Sequence, residues 1–149
     1  MITKNNFLFS PSTEHSAALS AGDTTWAIFH ELGNNTFRAY PVSSQGIGQP
    51  VNSSVGSAHG YNSGVGTMKF SPDGSKLAIT IFEDGCNRTE IFEFDQQTGK
   101  LTEYALLDLG CSGEIYGLEF SSDSDRILVS YLNGGPGIEE FIIKEVTSG

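Results

Sequence analysis

The sequence predicts an all-β fold, a β-propeller of about three four-stranded antiparallel blades whose ring is incomplete or is completed by oligomerisation. Three observations lead there. The stretch Leu118 to Val129 repeats Met68 to Ile79 at an offset of 50, and a weaker copy precedes it at 51, with Leu19, Ser20 and Trp26 over Phe70, Ser71 and Leu77. The later halves of the units agree as well, Glu90-Ile91-Phe92-Glu93-Phe94 falling where Ile138 to Ile142 and Thr36 to Tyr40 fall in theirs. Finally, Met68 to Phe82 reads as two strands around a tight turn, Ser71-Pro72-Asp73-Gly74, in which Pro72 presets φ and Gly74 supplies a left-handed residue. After that turn Leu77, Ile79 and Ile81 alternate with Ala78, Thr80 and Phe82, so both faces are mostly apolar, as in a strand with sheets stacked on either side.

The elements follow in order. Asn6 to Ser10 is a short apolar strand ended by Pro11, and residues 5–10 are expected to serve as the outer strand of an adjacent blade. Ser12 to Ala21 has helix formers in Ala17, Ala18 and Leu19, but its place in the repeat makes His15 to Ser20 an inner strand. Thr25 to His30 and Thr36 to Val42 continue the first blade, and Val51 to Val55 is a weak outer strand. A glycine-rich connection over residues 56–66 leads to the second unit. That unit ends in Leu101 to Leu107, where Leu101, Tyr104 and Ala105 sit at helical spacing, although the position in the unit argues for an outer strand. Ile115 to Phe120, Arg126 to Tyr131 and Gly137 to Ile143 form the third unit, short of a fourth strand. The blades are thus placed at about 12–56, 64–110 and 113–144 of a single domain spanning 1–149.

Composition narrows the function. A net charge of −10 with only eight lysines and arginines argues against nucleic acid, whose phosphates need a basic face. No apolar run is long enough for membrane insertion. The first residues, Met1 to Asn6, lack the apolar core and cleavage site of a signal peptide, so either the chain is not exported or the signal lies outside this sequence.

No catalytic constellation emerges, and neither a metal nor a cofactor is expected. His30 and His59 fall in connections that open on one face of a propeller, which sketches a two-histidine metal site, but local packing of each, and of His15, is the reading taken. Asp123-Ser124-Asp125 has alternate carboxylates yet lacks the glycine and distal glutamate of a calcium loop, so it reads as a polar turn. No serine stands in a nucleophile-elbow context. Asn34, Asn52 and Asn87 head glycosylation sequons expected by chance in so Asn- and Ser-rich a chain. Among the aromatics, Trp26 and Tyr131 suit wedges between blades. Tyr61 and Tyr116, near connections, join His30 and His59 as candidate binding-face residues; Tyr104 is a weaker aromatic candidate.

The ordered series Phe7-Leu8-Phe9-Ser10-Pro11-Ser12-Thr13-Glu14, Trp26-Ala27-Ile28-Phe29-His30-Glu31, Phe37-Arg38-Ala39-Tyr40, Val55-Gly56-Ser57-Ala58-His59, Met68 to Gly74 and Ile115 to Ser121 resembles the WD-like propeller region of large secreted Bacteroidetes proteins that end in gliding-motility or type IX secretion sorting domains. The resemblance covers most of the chain. It implies an extracellular or cell-surface location in the parent protein and a scaffold role, and it brings no catalytic residues. In a four-stranded blade Cys86 and Cys111 fall at the same rim, where they are either paired or two adjacent thiols; the export that the resemblance implies favours a disulfide.

The function expected is therefore a non-enzymatic interaction or scaffold module with a protein or glycan partner. The alternatives are a carbohydrate-binding propeller, such as a lectin or adhesin, and a propeller-based lyase or hydrolase. Three blades are too few to close a ring, so the chain either belongs to a longer propeller or assembles, the assembly being a homodimer of six blades with each final blade completed by residues 5–10 of the other copy.

Overall fold

A computed structural model of the chain describes residues 6–143. Its strands form three antiparallel sheets. The first comprises β1 (Ser12–Ala21), β2 (Thr24–Glu31), β3 (Thr36–Ser43), the two-residue β4 (Gly46–Ile47) and β5 (Val51–Ser54), the last two both pairing with β3. The second runs β6 (Met68–Phe70), β7 (Lys76–Glu83), β8 (Cys86–Asp95), β9 (Lys100–Asp108), and the third β10 (Glu114–Phe120), β11 (Arg126–Leu132), β12 (Ile138–Ile142). Apart from β4 and β5, which share β3, consecutive strands within each sheet are neighbours, the meander of a propeller blade.

Both stretches with helical features are extended. Over Ser12–Ala21 pairing with β2 prevails over the helix propensity of the alanines. In β9 the pairing slips by one residue at Tyr104, Ile91 lying opposite Ala105 and Phe92 opposite Glu103. This bulge turns Leu101 toward the first sheet and Ala105 and Leu107 toward the third, and it breaks the two-residue alternation into an apparent helical spacing.

Two apolar layers hold the sheets together. Between the first and second, Trp26, Ile28, Phe37 and Ala39 meet Leu77, Ile79, Ile81, Phe92 and Phe94. Between the second and third, Ala78, Ile91 and Leu107 meet Leu118, Ile127 and Val129. The second sheet is therefore apolar on both faces because both are covered. Polar ties supplement the packing: the Trp26 indole donates to the Gln96 carbonyl at 2.9 Å, and Leu101 N donates to Ser53 Oγ at 3.0 Å. A Cβ on Gly99 would lie 2.5 Å from the Trp26 ring, so this turn residue leaves the indole its space.

The internal register of the first unit differs from the expected offset of 51. Trp26 and Ile28 face the second sheet as Ala78 faces the third, and the ion pair Glu31–Arg38 recurs as Glu83–Arg88 at the same end of the next sheet, which puts β2 at an offset of 52 from β7. Ser124 takes in the third unit the left-handed turn position that Gly74 takes in the second, at an offset of 50. A slip of one residue exchanges the faces of a strand. Trp26 accordingly corresponds to Ala78, both facing the next sheet, and not to Leu77, which faces the previous one.

The turn Ser71-Pro72-Asp73-Gly74 has the expected geometry. Gly74 N donates to Ser71 O at 2.9 Å, and Asp73 Oδ1 accepts from the Ser71 and Ser75 hydroxyls. Burial works against ionisation of Asp73, but these hydroxyls, the Ser75 amide and Ser124 outweigh it and lower its pKa to about 2. Asp123-Ser124-Asp125 is the same turn in the third unit, Ser121 Oγ donating to Asp123. Residues 6–10 are in no strand. Phe9 instead packs on Phe29 and Tyr40 of the first sheet, with the Arg38 guanidinium 4.9 Å from its ring centre. As the lead into β1, this segment matches the short connection from β9 into β10, which explains why it pairs with no edge. Asn5 and residue 144 of the expected boundaries lie outside the described residues.

Candidate functional site

Antiparallel pairing places the start of the first strand, the end of the second and the start of the third at one end of each sheet. Ser12 is opposite Glu31, Glu83 is opposite Cys86, and Glu114 is opposite Leu132. The connections between sheets return to this end, and the residues singled out from the sequence as a binding face all lie there. They separate into a buried group and an exposed one.

The buried group is a cluster of three imidazoles. His30 and His59 stack with ring centres 4.0 Å apart, and His15, from β1, meets His59 edge-on at 5.4 Å. None is accessible to solvent, so His30 and His59 belong to the interior and not to a binding face. The connection is drawn in by its backbone: His59 N donates to Asn34 O at 3.0 Å and Gly33 N donates to His59 O at 2.7 Å. His30 Nδ1 donates to its neighbour's carbonyl, Glu31 O, at 2.7 Å, which leaves Nε2 as the unprotonated nitrogen. That nitrogen and both ring nitrogens of His59 have no hydrogen-bond partner. Burial, with the other imidazoles adding to it, lowers the pKa of His15 to about 4 and of His59 to about 2; burial also lowers that of His30 to about 4 against the pull of Glu31. All three are neutral at pH 7. Among the described residues no group of three or more His, Cys, Asp or Glu is arranged to hold a metal ion.

Gly66 closes the cluster on the side of the second sheet. A Cβ there would lie 2.5 Å from Thr80 Oγ1 and 3.2 Å from His15 Nε2, and its φ of +144° suits glycine. Thr80 in turn donates to Tyr116 O at 3.1 Å, tying the second sheet to the start of the third.

The exposed group is a cleft of about 300 Å³ beside this cluster. Tyr61 and Tyr116, far apart in sequence, converge on it from the β5–β6 connection and from β10, with Val65, Phe82 and Leu132 between them. Tyr61 is 86% exposed and Tyr116 44%. Asn62 and Glu114 provide polar groups at the edge, and Glu114 accepts from Asn133 Nδ2 at 3.2 Å. Among the described residues no lysine or arginine lines the cleft. Its chemistry is that of flat apolar faces beside an amide and a carboxylate.

A disulfide lies at the same end of the second sheet. Cys86 and Cys111 are bonded, closing a loop of 25 residues between the β7–β8 turn and the β9–β10 connection. Next to it, buried Asn87 donates from Nδ2 to Gly110 O, Ser112 O and Gly113 O, and its Oδ1 accepts from Ile115 N at 2.7 Å. The sequence singled out Asn87 as a sequon; its side chain instead positions the strand that carries Tyr116. Trp26 is buried between sheets, and Tyr131 is half-buried with its hydroxyl donating to Glu139 at 2.6 Å. The Tyr104 side chain lies outside those described. His15 was the residue sequence reasoning left out of the site, since nothing in the spacing joins position 15 to positions 30 and 59.

No family model matches the chain, and no curated protein matches it in sequence. Solved structures do. A protein from Bacteroides fragilis, named provisionally as a 6-phosphogluconolactonase, aligns with a TM-score of 0.56 at 18% identity over 75% of this chain and 30% of its own. A protein from Lactobacillus plantarum aligns with a TM-score of 0.59 at 19% identity over 84% of this chain and 36% of its own. The chain thus spans about a third of the length of these structures, and the likeness is one of fold: an all-β, propeller-type arrangement.

Proposed function

We propose that the chain is a non-enzymatic recognition module of propeller type, working outside the cell or at its surface, with the Tyr61–Tyr116 cleft as its contact site. The observation that carries this reading is the convergence of two exposed tyrosines on a surface hollow, one of whose lining residues, Ile115, is held by buried Asn87. Rigid aromatic side chains over a held backbone give contact area at small entropic cost. The disulfide supports the location, since such bonds persist in oxidising compartments. Kinship with the propeller regions of secreted Bacteroidetes proteins belongs to the same proposal.

A neutral glycan is the ligand class that the cleft's chemistry favours, the tyrosine faces stacking on sugar rings while Asn62 and Glu114 take the hydroxyls. A phosphorylated lactone of the kind named for the Bacteroides fragilis protein suits it less, because a phosphate calls for basic groups and the lining has a carboxylate instead. The test is binding of the purified chain to a glycan array and to intact bacterial surfaces, with Tyr61→Ala and Tyr116→Ala compared. Each substitution is expected to weaken binding about tenfold or more, the loss of ~1.4 kcal/mol of contact. Undiminished binding by the double variant would remove the cleft from the account, and turnover of a sugar lactone by the chain would remove the non-enzymatic reading.

A further inference from the structure

The two outer sheets carry opposite halves of an interface that the chain already makes twice. In the first instance the face of the first sheet bearing Trp26 and Ile28 packs on the face of the second bearing Leu77, Ile79 and Ile81. In the second, Ala78 and Ile91 pack on Ile127 and Val129. The faces that these contacts define set β2 at an offset of 52 from β7, and the shared turn of Gly74 and Ser124 sets β7 at 50 from β11, so each position of one second strand has a counterpart in the next. The counterparts of Ala78, Thr80 and Phe82 are Leu128, Ser130 and Leu132, on the far face of the third sheet. Those of Leu77, Ile79 and Ile81 are Thr25, Ala27 and Phe29, on the far face of the first.

Among the described residues, neither far face has a sheet against it. On the third, Leu128 is 37% exposed, Leu132 51% and Ile138 72%. On the first, Ala18 is exposed while Ala27, Phe29 and Val42 are half-buried. Tyr40 is already covered by Phe9, which comes from the lead into β1. Leu109, in the corresponding connection into the third sheet, likewise packs against the layer between the second and third sheets. The lead segment therefore sits as it does at an interface that is already closed.

We infer that the occupant of both faces is a second copy of this chain: the third sheet of each copy stacks on the first sheet of the other, closing a dimer of six sheets. The argument is continuity, because the new contact repeats the relation by which the first sheet meets the second and the second meets the third. A head-to-tail contact made twice between two copies satisfies both ends at once. It needs no strand exchange, so the expected pairing of residues 5–10 with the partner's last sheet is replaced by face-to-face stacking.

Light scattering during size-exclusion chromatography tests this on the whole chain. The expected mass is twice the 16.0 kDa of one chain. Leu128→Lys combined with Ile138→Lys, both at exposed positions, is expected to give the single-chain mass with an unchanged far-ultraviolet circular dichroism spectrum. Independently, mixing an Ala27→Cys chain with a Leu128→Cys chain under mild oxidation is expected to give a cross-linked pair that neither variant forms alone. A single-chain mass at every concentration, a dimer that survives the double lysine variant, or cross-linking as extensive within each variant as between them overturns the inference.

Discussion

Mild acid should unfold this protein through its three histidines before most carboxylates titrate. In the unfolded chain each imidazole has the ordinary pKa of 6.5, whereas in the folded chain burial holds His15 and His30 near 4 and His59 near 2. A folded-state pKa below the unfolded one means that stability is fully present above 6.5 and is lost as the pH falls toward the folded value, because the unfolded chain takes up protons that the folded chain refuses. By pH 5 the loss is about 2 kcal/mol for each histidine, or about 6 kcal/mol for the three together. Against a stability of about 5–15 kcal/mol for an ordinary domain, that is a large part of the whole. Urea unfolding followed by Trp26 fluorescence at pH 8, 7, 6 and 5 reads it directly, since the chain contains no other histidine or tryptophan. The midpoint should fall steeply between pH 6.5 and 5 with little change in slope. A midpoint constant over that range would refute the reasoning, for the imidazoles would then have to be charged or hydrated in the folded state.

Two other substitutions test the packing. Gly99→Ala drives a methyl group into the Trp26 ring at a left-handed turn position and should cost about 1–3 kcal/mol, seen as a lowered thermal midpoint with Trp26 fluorescence shifted to longer wavelength. Replacing Cys86 and Cys111 by serine reopens a loop of 25 residues and should cost about 3 kcal/mol. If the bridge also holds the cleft, ligand affinity should fall further than stability alone explains, whereas unchanged affinity would show that Asn87 suffices.

Much of the architecture was already legible in the chain. Strand order, hairpin turns and the apolar character of both faces of Leu77 to Phe82 are local properties, carried by residues within a few positions of one another. A repeated turn such as Ser71-Pro72-Asp73-Gly74 marks the second and third units wherever they pack. Blade geometry already brought position 86 near position 111, while the choice of a disulfide over two thiols came only from the export that the family resemblance implies. The site was legible only as an inventory. His30, His59, Tyr61 and Tyr116 were recognised as residues of one end, but which of them face water depends on how the connection over residues 56–66 folds back. There the peptide bonds of Asn34 and Gly33 pull His59 under His30, while Tyr61, two residues later, is left at the rim.

What the sequence by itself determined is thus the principal strands of each sheet and their order, though not the strand expected at Asn6 to Ser10, since alternation and turn chemistry act over a few residues and survive any packing. What only the tertiary structure decided is which face of each strand meets which neighbour. The offset between the first two units is the clearest case: at 51 Trp26 would take the role of Leu77, and at 52 it takes that of Ala78. Both faces of the second sheet are apolar, so hydrophobic pattern alone does not choose between them. The choice is made by contacts between residues far apart in the chain, the Trp26 indole against the Gln96 carbonyl and the Gly99 turn, and His15 against His59, which no spacing along the chain encodes.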